Sequence, residues 1–96
     1  MRKLEEIEQL RKKIDEIDEE ILSLLKERIE ISKQIGEVKR NKGLPIKDLE
    51  RELEKYQQVA KKAIELGLNA ENVKNIYKNI IKMSRQIQEQ AITRKK

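Results

Sequence analysis

The 96-residue sequence contains no cysteine, histidine, tryptophan or phenylalanine, and it has only one proline and three glycines. The first two absences exclude disulfides, thiolate nucleophiles, imidazole proton transfer and His/Cys zinc sites within it. The only aromatic residues are two tyrosines, so the core has to be built from isoleucine and leucine. No apolar run approaches the roughly 18 residues of a membrane span, and no signal-peptide segment is present, which predicts a cytoplasmic protein.

Charged residues make up 43% of the chain and hydrophobic residues 36%, with a formal net charge of +5. A basic chain invites a comparison with nucleic-acid binders, but here the charges of both signs are interspersed along the sequence. Without aromatic side chains among the basic ones, there is no platform for stacking bases, and nucleic-acid binding is not predicted. The length predicts one domain over residues 1–96, and a core this small gains stability from dimerisation.

Residues 3–42 are predicted to form one continuous helix. This segment contains no proline, and its single glycine, Gly36, costs only about 1 kcal/mol relative to alanine. Apolar residues recur at alternating spacings of three and four, which predicts one apolar stripe along the helix. The stripe consists of Leu10, Ile14, Ile17, Ile21, Leu24, Ile31, Ile35 and Val38.

Two cations interrupt this stripe. Arg28 occupies the position between Leu24 and Ile31 where the pattern requires an apolar residue, and Lys39 lies about 20° away around the helix, eleven residues further on. Long basic side chains often cover an apolar face and extend their charges to water. Two cations on one stripe, with the small Ser32 between them, instead favour an anion site. The pattern alone leaves both interpretations open.

The length of this helix predicts a second copy of the chain. Forty residues span about 60 Å, whereas a compact domain of this size has a radius of gyration of about 13 Å. Two shorter helices cannot cover the whole stripe, but two long helices packed together can. A lone surface helix and a fibrous coiled coil are the competing explanations. Arg11 and Arg28 are about 25 Å apart along one helix, so they can contact the same small molecule only across an antiparallel dimer.

The rest of the chain predicts two more helices. Gly43 favours a left-handed stop, Pro45 prevents continuation, and Asp48 is placed to cap a second helix over residues 49–66. Gly67 ends it, and Asn69 can cap a third helix that ends near residue 92. The predicted inward-facing residues are Leu49, Leu53, Tyr56, Ala60 and Ala63 of the second helix and Val73, Ile76, Ile80, Met83 and Ile87 of the third. Polar side chains lie beside these stripes at Glu52, Ser84 and Gln88, where a solvated or backbone-bonded role is the usual one.

Several segments of the sequence resemble the all-helical class of chorismate mutase. They are the run from Leu10 to Asp18, the segments 24–28 and 35–39, the turn 43–48 and the pair Arg51 and Glu52. The resemblance extends to Ser84 and Gln88 near the end and covers nearly the whole chain. Each motif is loose by itself. Together they are specific, because the residues that break the helical pattern are the ones the family uses.

The resemblance implies an intertwined homodimer of three-helix protomers that converts chorismate to prephenate at two shared active sites. Arg11 of one protomer and Arg28 of the other would bind the two carboxylates of chorismate, and Lys39 and Gln88 would stabilise the ether oxygen. Glu52, with the backbone at Asp48, would hold the ring hydroxyl, and Ser84 would assist at a carboxylate. A unimolecular rearrangement requires no nucleophile, metal or cofactor, which is consistent with a chain that lacks cysteine and histidine.

Two alternatives remain beside this interpretation. An isochorismate–pyruvate lyase resembles the mutase in fold and keeps equivalent cations, but its pattern lacks a carboxylate at the position of Glu52. A non-enzymatic helical interaction module or coiled coil explains the stripe equally well. It gives no reason for Arg28 on the stripe, or for Ser84 and Gln88 one turn apart.

Overall fold

A computed structural model describes residues 2–93, which form three α-helices joined by two short turns. The helices are α1 (Arg2–Lys42), α2 (Leu49–Glu65) and α3 (Ala70–Thr93). Gly43 and Gly67 end the first two helices with φ angles of 67° and 74°. These angles lie in the left-handed region that glycine adopts without steric cost, so both turns form as the sequence predicts. The all-helical, three-helix fold is confirmed.

Side-chain caps fix where the second and third helices begin. The Asp48 side chain accepts a hydrogen bond from the backbone N–H of Arg51 at 3.1 Å, and the Asn69 side chain accepts one from the N–H of Asn72 at 2.9 Å. Such caps satisfy amide groups that have no partner within the helix. The predicted boundaries of the three helices agree with those in the structure to within one residue at each end.

Helix α3 packs against both α1 and α2, which make no close backbone contact with each other. It covers only the second half of α1, where Ser32 and Gly36 are buried. Side chains 3–24 of α1 are all exposed, so this half of the helix extends away from the others. The molecule is accordingly elongated, with principal extents of 61, 28 and 14 Å.

One chain has little core of its own. Among the described residues, the buried hydrophobic side chains are those of Ala63, Ile81 and Ala91, and the buried polar ones are those of Ser32 and Ser84. The α1 stripe defined above is exposed, from 43% at Ile35 to 62% at Leu24. An exposed apolar surface of this length is unusual for a soluble monomer and typically marks an interaction surface.

The prediction of which residues face inward is partly wrong for the single chain. Leu49 and Leu53 of α2 are 60% and 62% exposed, and Ile76 and Met83 of α3 are 57% and 43% exposed. The reason is that α3 contacts α1 and α2 through the face that carries Ile81, Ser84 and Ala91. Apolar periodicity cannot distinguish a face that packs within one chain from a face that a second element covers. Along the part of the chain that the structure describes, no helix is both long and apolar enough to cross a membrane.

Candidate active site

A cavity of about 400 Å³ lies between the second half of α1, the start of α2 and the middle of α3. Its volume is within the usual range for a site that binds a small molecule. Six of the seven predicted site residues line it, namely Arg28, Lys39, Asp48, Glu52, Ser84 and Gln88. The seventh, Arg11, does not.

Arg28 is held in place by two serines. It is half-buried at the margin of the exposed stripe and donates a hydrogen bond from Nη1 to the Ser84 hydroxyl, while the Ser32 hydroxyl donates to Ser84 at 3.0 Å. Both serines are buried, at 5% and 8% exposure, so this network links α1 to α3 inside the protein. The guanidinium has donors left over for an anion in the cavity, because it carries five N–H groups.

Lys39 of α1 and Gln88 of α3 both line the cavity and are hydrogen-bonded to each other. The Lys39 ammonium donates to Gln88 Oε1 at 3.0 Å and to the backbone carbonyl of Ile46 at 2.8 Å. An ammonium has three N–H donors, so one remains for a bound molecule. Gln88 accepts from Lys39 through its amide oxygen, which leaves its amide nitrogen as a donor. Two donors from opposite helices can therefore converge on one acceptor atom.

Gly36 sets the distance between α1 and α3 at this point. A Cβ atom built on it would lie 2.8 Å from the Gln88 Cα, 3.1 Å from the Gln88 carbonyl oxygen and 3.2 Å from the Ala91 Cβ. The first distance is shorter than real Cβ contacts allow, and its partner is backbone that cannot rotate away. The two helices therefore approach this closely only because residue 36 has no side chain.

We expect the Gly36→Ala substitution to lower both stability and turnover. Alanine improves helix propensity by about 1 kcal/mol, but overpacking at a buried contact costs about 1–3 kcal/mol. The effect on turnover arises from geometry, because the added methyl group displaces α3 and this movement carries Gln88 away from Lys39. Thermal unfolding and steady-state kinetics would measure both changes.

Gly67→Ala is the matched control for this substitution. Gly67 has a φ of 74° and nothing within 4 Å of its Cβ direction, so alanine there strains a turn without moving α3 against α1. We expect it to lower the melting temperature but leave kcat close to wild type. Equal kcat values for the Gly36 and Gly67 variants would contradict the role of the close helix contact.

Glu52 lies on α2 and is fixed from α3. Its Oε1 accepts a hydrogen bond from Nη2 of Arg85 at 3.2 Å, and the two side chains are 18% and 36% exposed. Asp48 also lines the cavity, and its Oδ1 caps α2. The carboxylate of Glu52 is held in a defined position by Arg85, a side chain that lines the cavity as well.

Arg11 lies far from this cavity. It is exposed on the first half of α1 and forms an ion pair with Glu8 at 3.1 Å, with 68% and 64% of the two side chains accessible. Exposed ion pairs of this kind contribute little to stability, about 0–1 kcal/mol. Seventeen residues separate Arg11 from Arg28, which corresponds to about 25 Å along α1. Within one chain, the predicted site is therefore incomplete.

The sequence prediction missed part of the lining. Five cationic and two acidic side chains line the cavity. The cations include Lys55 and Arg85, which are not among the predicted site residues. The one-turn spacing of Ile81, Arg85 and Gln88 is the signal that places Arg85 on the same face as Gln88, but a charged residue there is more often solvated.

Among residues 2–93, no group of three or more acidic side chains is placed to bind a metal ion. These features define a helical protein with a cationic pocket for a small organic anion.

Comparison with known proteins identifies the family. The chorismate mutase type II family matches residues 10–89. The chain is 36% identical to a chorismate mutase of Methanocaldococcus jannaschii over 87 residues, which is 91% of this chain and 88% of that protein. The chain belongs to the chorismate mutase type II family and is an enzyme of this type.

Two other relatives are longer proteins. A bifunctional chorismate mutase/prephenate dehydratase of Aquifex aeolicus is 52% identical over 56 residues, covering 58% of this chain and 16% of that protein. A T-protein of Haemophilus influenzae is 32% identical over 81 residues, covering 84% of this chain and 22% of that protein. The chain therefore spans about a sixth to a fifth of these two relatives.

Proposed function

We propose that the cavity between α1, α2 and α3 binds chorismate and converts it to prephenate, and that a second copy of the chain completes it. The observation that carries this proposal is the placement of Arg28, Lys39 and Gln88 around one cavity. Their polar groups come from two helices that close contact at Gly36 holds together. Membership of the family indicates which reaction is catalysed, and these three residues provide hydrogen-bond donors that can bind the substrate and stabilise its transition state.

The first task of the site is to bind chorismate in its reactive shape. The reaction is a unimolecular rearrangement in which one C–O bond breaks while a C–C bond forms, so it requires neither a nucleophile nor a proton donor. Fixing both carboxylates selects the folded conformer in which the reacting carbons are close. Arg28 binds one carboxylate, with Ser84 beside it, and Arg11 of a second copy binds the other through paired charge-assisted hydrogen bonds.

The second task is to stabilise the charge that develops on the ether oxygen as the C–O bond breaks. Lys39 has one N–H left after its two observed hydrogen bonds, and Gln88 has its amide nitrogen. Both donors are held before the substrate arrives, so they do not have to reorganise during the reaction. Glu52 accepts the ring hydroxyl from the opposite side of the cavity, next to the backbone at Asp48.

The second copy is proposed on two grounds. The apolar stripe of α1 is exposed in the single chain, and an antiparallel partner helix of the same sequence would cover it. In that arrangement the first half of the partner's α1 approaches the cavity, which brings an Arg11 to the site that lacks one. A dimer therefore accounts for both the uncovered stripe and the distant arginine. A cytoplasmic location and a single domain over residues 1–96 stay predictions from the sequence.

Separate incubation of the protein with chorismate and with isochorismate tests the function. We expect chorismate to be consumed and prephenate to accumulate, with no pyruvate released from isochorismate. Glu52 is the reason, because the lyase pattern lacks a carboxylate at this position. Release of pyruvate from isochorismate would instead establish the lyase, and inertness towards both compounds would favour a non-enzymatic helical module.

A further inference from the structure

Three cations that line the cavity, Arg51, Lys55 and Arg85, have no part in the proposed mechanism, and of these Arg85 bonds to a residue that does. Arg85 follows Ser84 on α3, lines the cavity and pairs with Glu52 of α2 at 3.2 Å. Helix α2 packs against α3 but not against α1, so this pair connects the acidic side of the cavity to the helix that carries Ser84 and Gln88.

Joining α2 to α3 through Arg85 has a cost in the stability of the folded chain. Its Nε is buried and has no hydrogen-bond partner among the described residues. An unsatisfied buried donor destabilises the folded chain, and replacing a partly buried ion pair by apolar side chains of similar size is often neutral or stabilising. If this pair served only to join the two helices, apolar side chains at both positions would stabilise the fold equally well.

Glu52 has a competing partner on its own helix. Lys55 is three residues further along α2, at a spacing where side chains of opposite charge meet, and it lines the same cavity. In the structure the Lys55 ammonium bonds to Gln58 instead, while Glu52 turns towards α3. Arg85 is therefore the side chain that fixes Oε1 of Glu52 in the structure, although Lys55 lies within reach of the same carboxylate along α2.

We propose that Arg85 is a positioning residue that holds Oε1 of Glu52, so that the second oxygen, Oε2, accepts the ring hydroxyl of the substrate. This inference rests on the proposed function. It adds a residue to the recognition of the hydroxyl rather than to the reacting bond. Since the hydroxyl is bound both before and during the rearrangement, losing its orientation raises KM and leaves kcat nearly unchanged.

The test uses Arg85→Met, which keeps a long side chain and removes the buried donor without a partner. We expect kcat/KM for chorismate to fall about tenfold through KM, and this loss to persist well below the melting temperature, which the unpaired Glu52 carboxylate lowers. Arg85→Lys should recover part of the loss, since an ammonium can still donate to Oε1. In a Glu52→Gln background, or with a chorismate analogue whose ring hydroxyl is replaced by hydrogen, Arg85→Met should have no further effect.

Three kinetic results would each overturn the role of Arg85. They are an unchanged kcat/KM in Arg85→Met, an equal loss with the analogue that lacks the hydroxyl, and an equal loss in the Glu52→Gln background. A fall in activity that merely follows a fall in melting temperature would likewise assign Arg85 to structure alone. Absence of chorismate turnover by the wild-type protein would overturn the proposed function and this inference together. Failure of the Arg85 role alone would instead be seen with a wild-type protein that converts chorismate.

Discussion

Replacing Lys39 by alanine should lower kcat/KM for chorismate by about 10²-fold or more. Lys39 provides one of two donors aimed at the atom where negative charge develops, and removing such a donor typically costs about 10²–10³-fold in kcat. Because that charge exists mainly in the transition state, we expect the loss to appear in kcat rather than in KM. Steady-state measurement of chorismate consumption separates the two constants.

Two controls make the Lys39 result specific. Lys33→Ala removes an exposed lysine from the same helix and should leave kcat within twofold of wild type. The thermal unfolding of Lys39→Ala should also be measured, because the same ammonium bonds the Ile46 carbonyl in the turn before α2. A folded Lys39→Ala protein with wild-type kcat/KM would remove Lys39 from the mechanism. Combining it with Gln88→Ala should give a loss smaller than the product of the single losses, since both act on one atom.

Replacing Arg11 by alanine should lower kcat/KM by about 30-fold or more, although Arg11 is about 25 Å from Arg28 along its own helix. Removing one partner of a buried, hydrogen-bonded charge pair costs about 2–5 kcal/mol, and the lower value corresponds to this factor. Nothing in the single chain accounts for such a loss, since Arg11 is exposed and pairs only with Glu8 among the described residues. Steady-state kinetics with chorismate measures it.

Lys12→Ala is the matched control for Arg11→Ala. Lys12 is the next residue, equally cationic and exposed, but it lies about 100° away around the helix. We expect its kcat/KM to remain close to wild type. Equal losses in both variants would indicate a general effect of charge on the approach of a dianion, and an unchanged Arg11→Ala would indicate a site confined to one chain.

The fold could be predicted from the sequence because its signals are local. The turns at Gly43 and Gly67 and the caps at Asp48 and Asn69 each depend on a few neighbouring residues, and all four form as predicted. The packing could not be predicted to the same extent. Ile76 and Met83 follow the apolar period of α3, yet they are exposed in the single chain, because periodicity does not state which surface covers a face.

The residues of the cavity could likewise be predicted only in part. Arg28 and Lys39 could be found because they break an apolar pattern, and rule-breaking residues tend to mark functional sites. Arg85 breaks no pattern, and its pairing with Glu52 joins residues 33 apart in sequence, so it required the structure. The network of Arg28, Ser84 and Ser32 likewise depends on how closely α3 approaches α1 at Gly36. The intertwined dimer stays a prediction.

Mixing Arg11→Ala with Arg28→Ala chains tests the central claim most directly, namely that one cavity takes cations from two copies of the chain. Each variant alone should be nearly inactive. After the chains are unfolded and refolded together in equal amounts, random pairing makes about half of the dimers mixed, and each mixed dimer carries one intact and one doubly altered site. The account therefore predicts recovery of about a quarter of wild-type activity. Activity that stays at the level of the separate variants, in samples shown to contain mixed dimers, would contradict it.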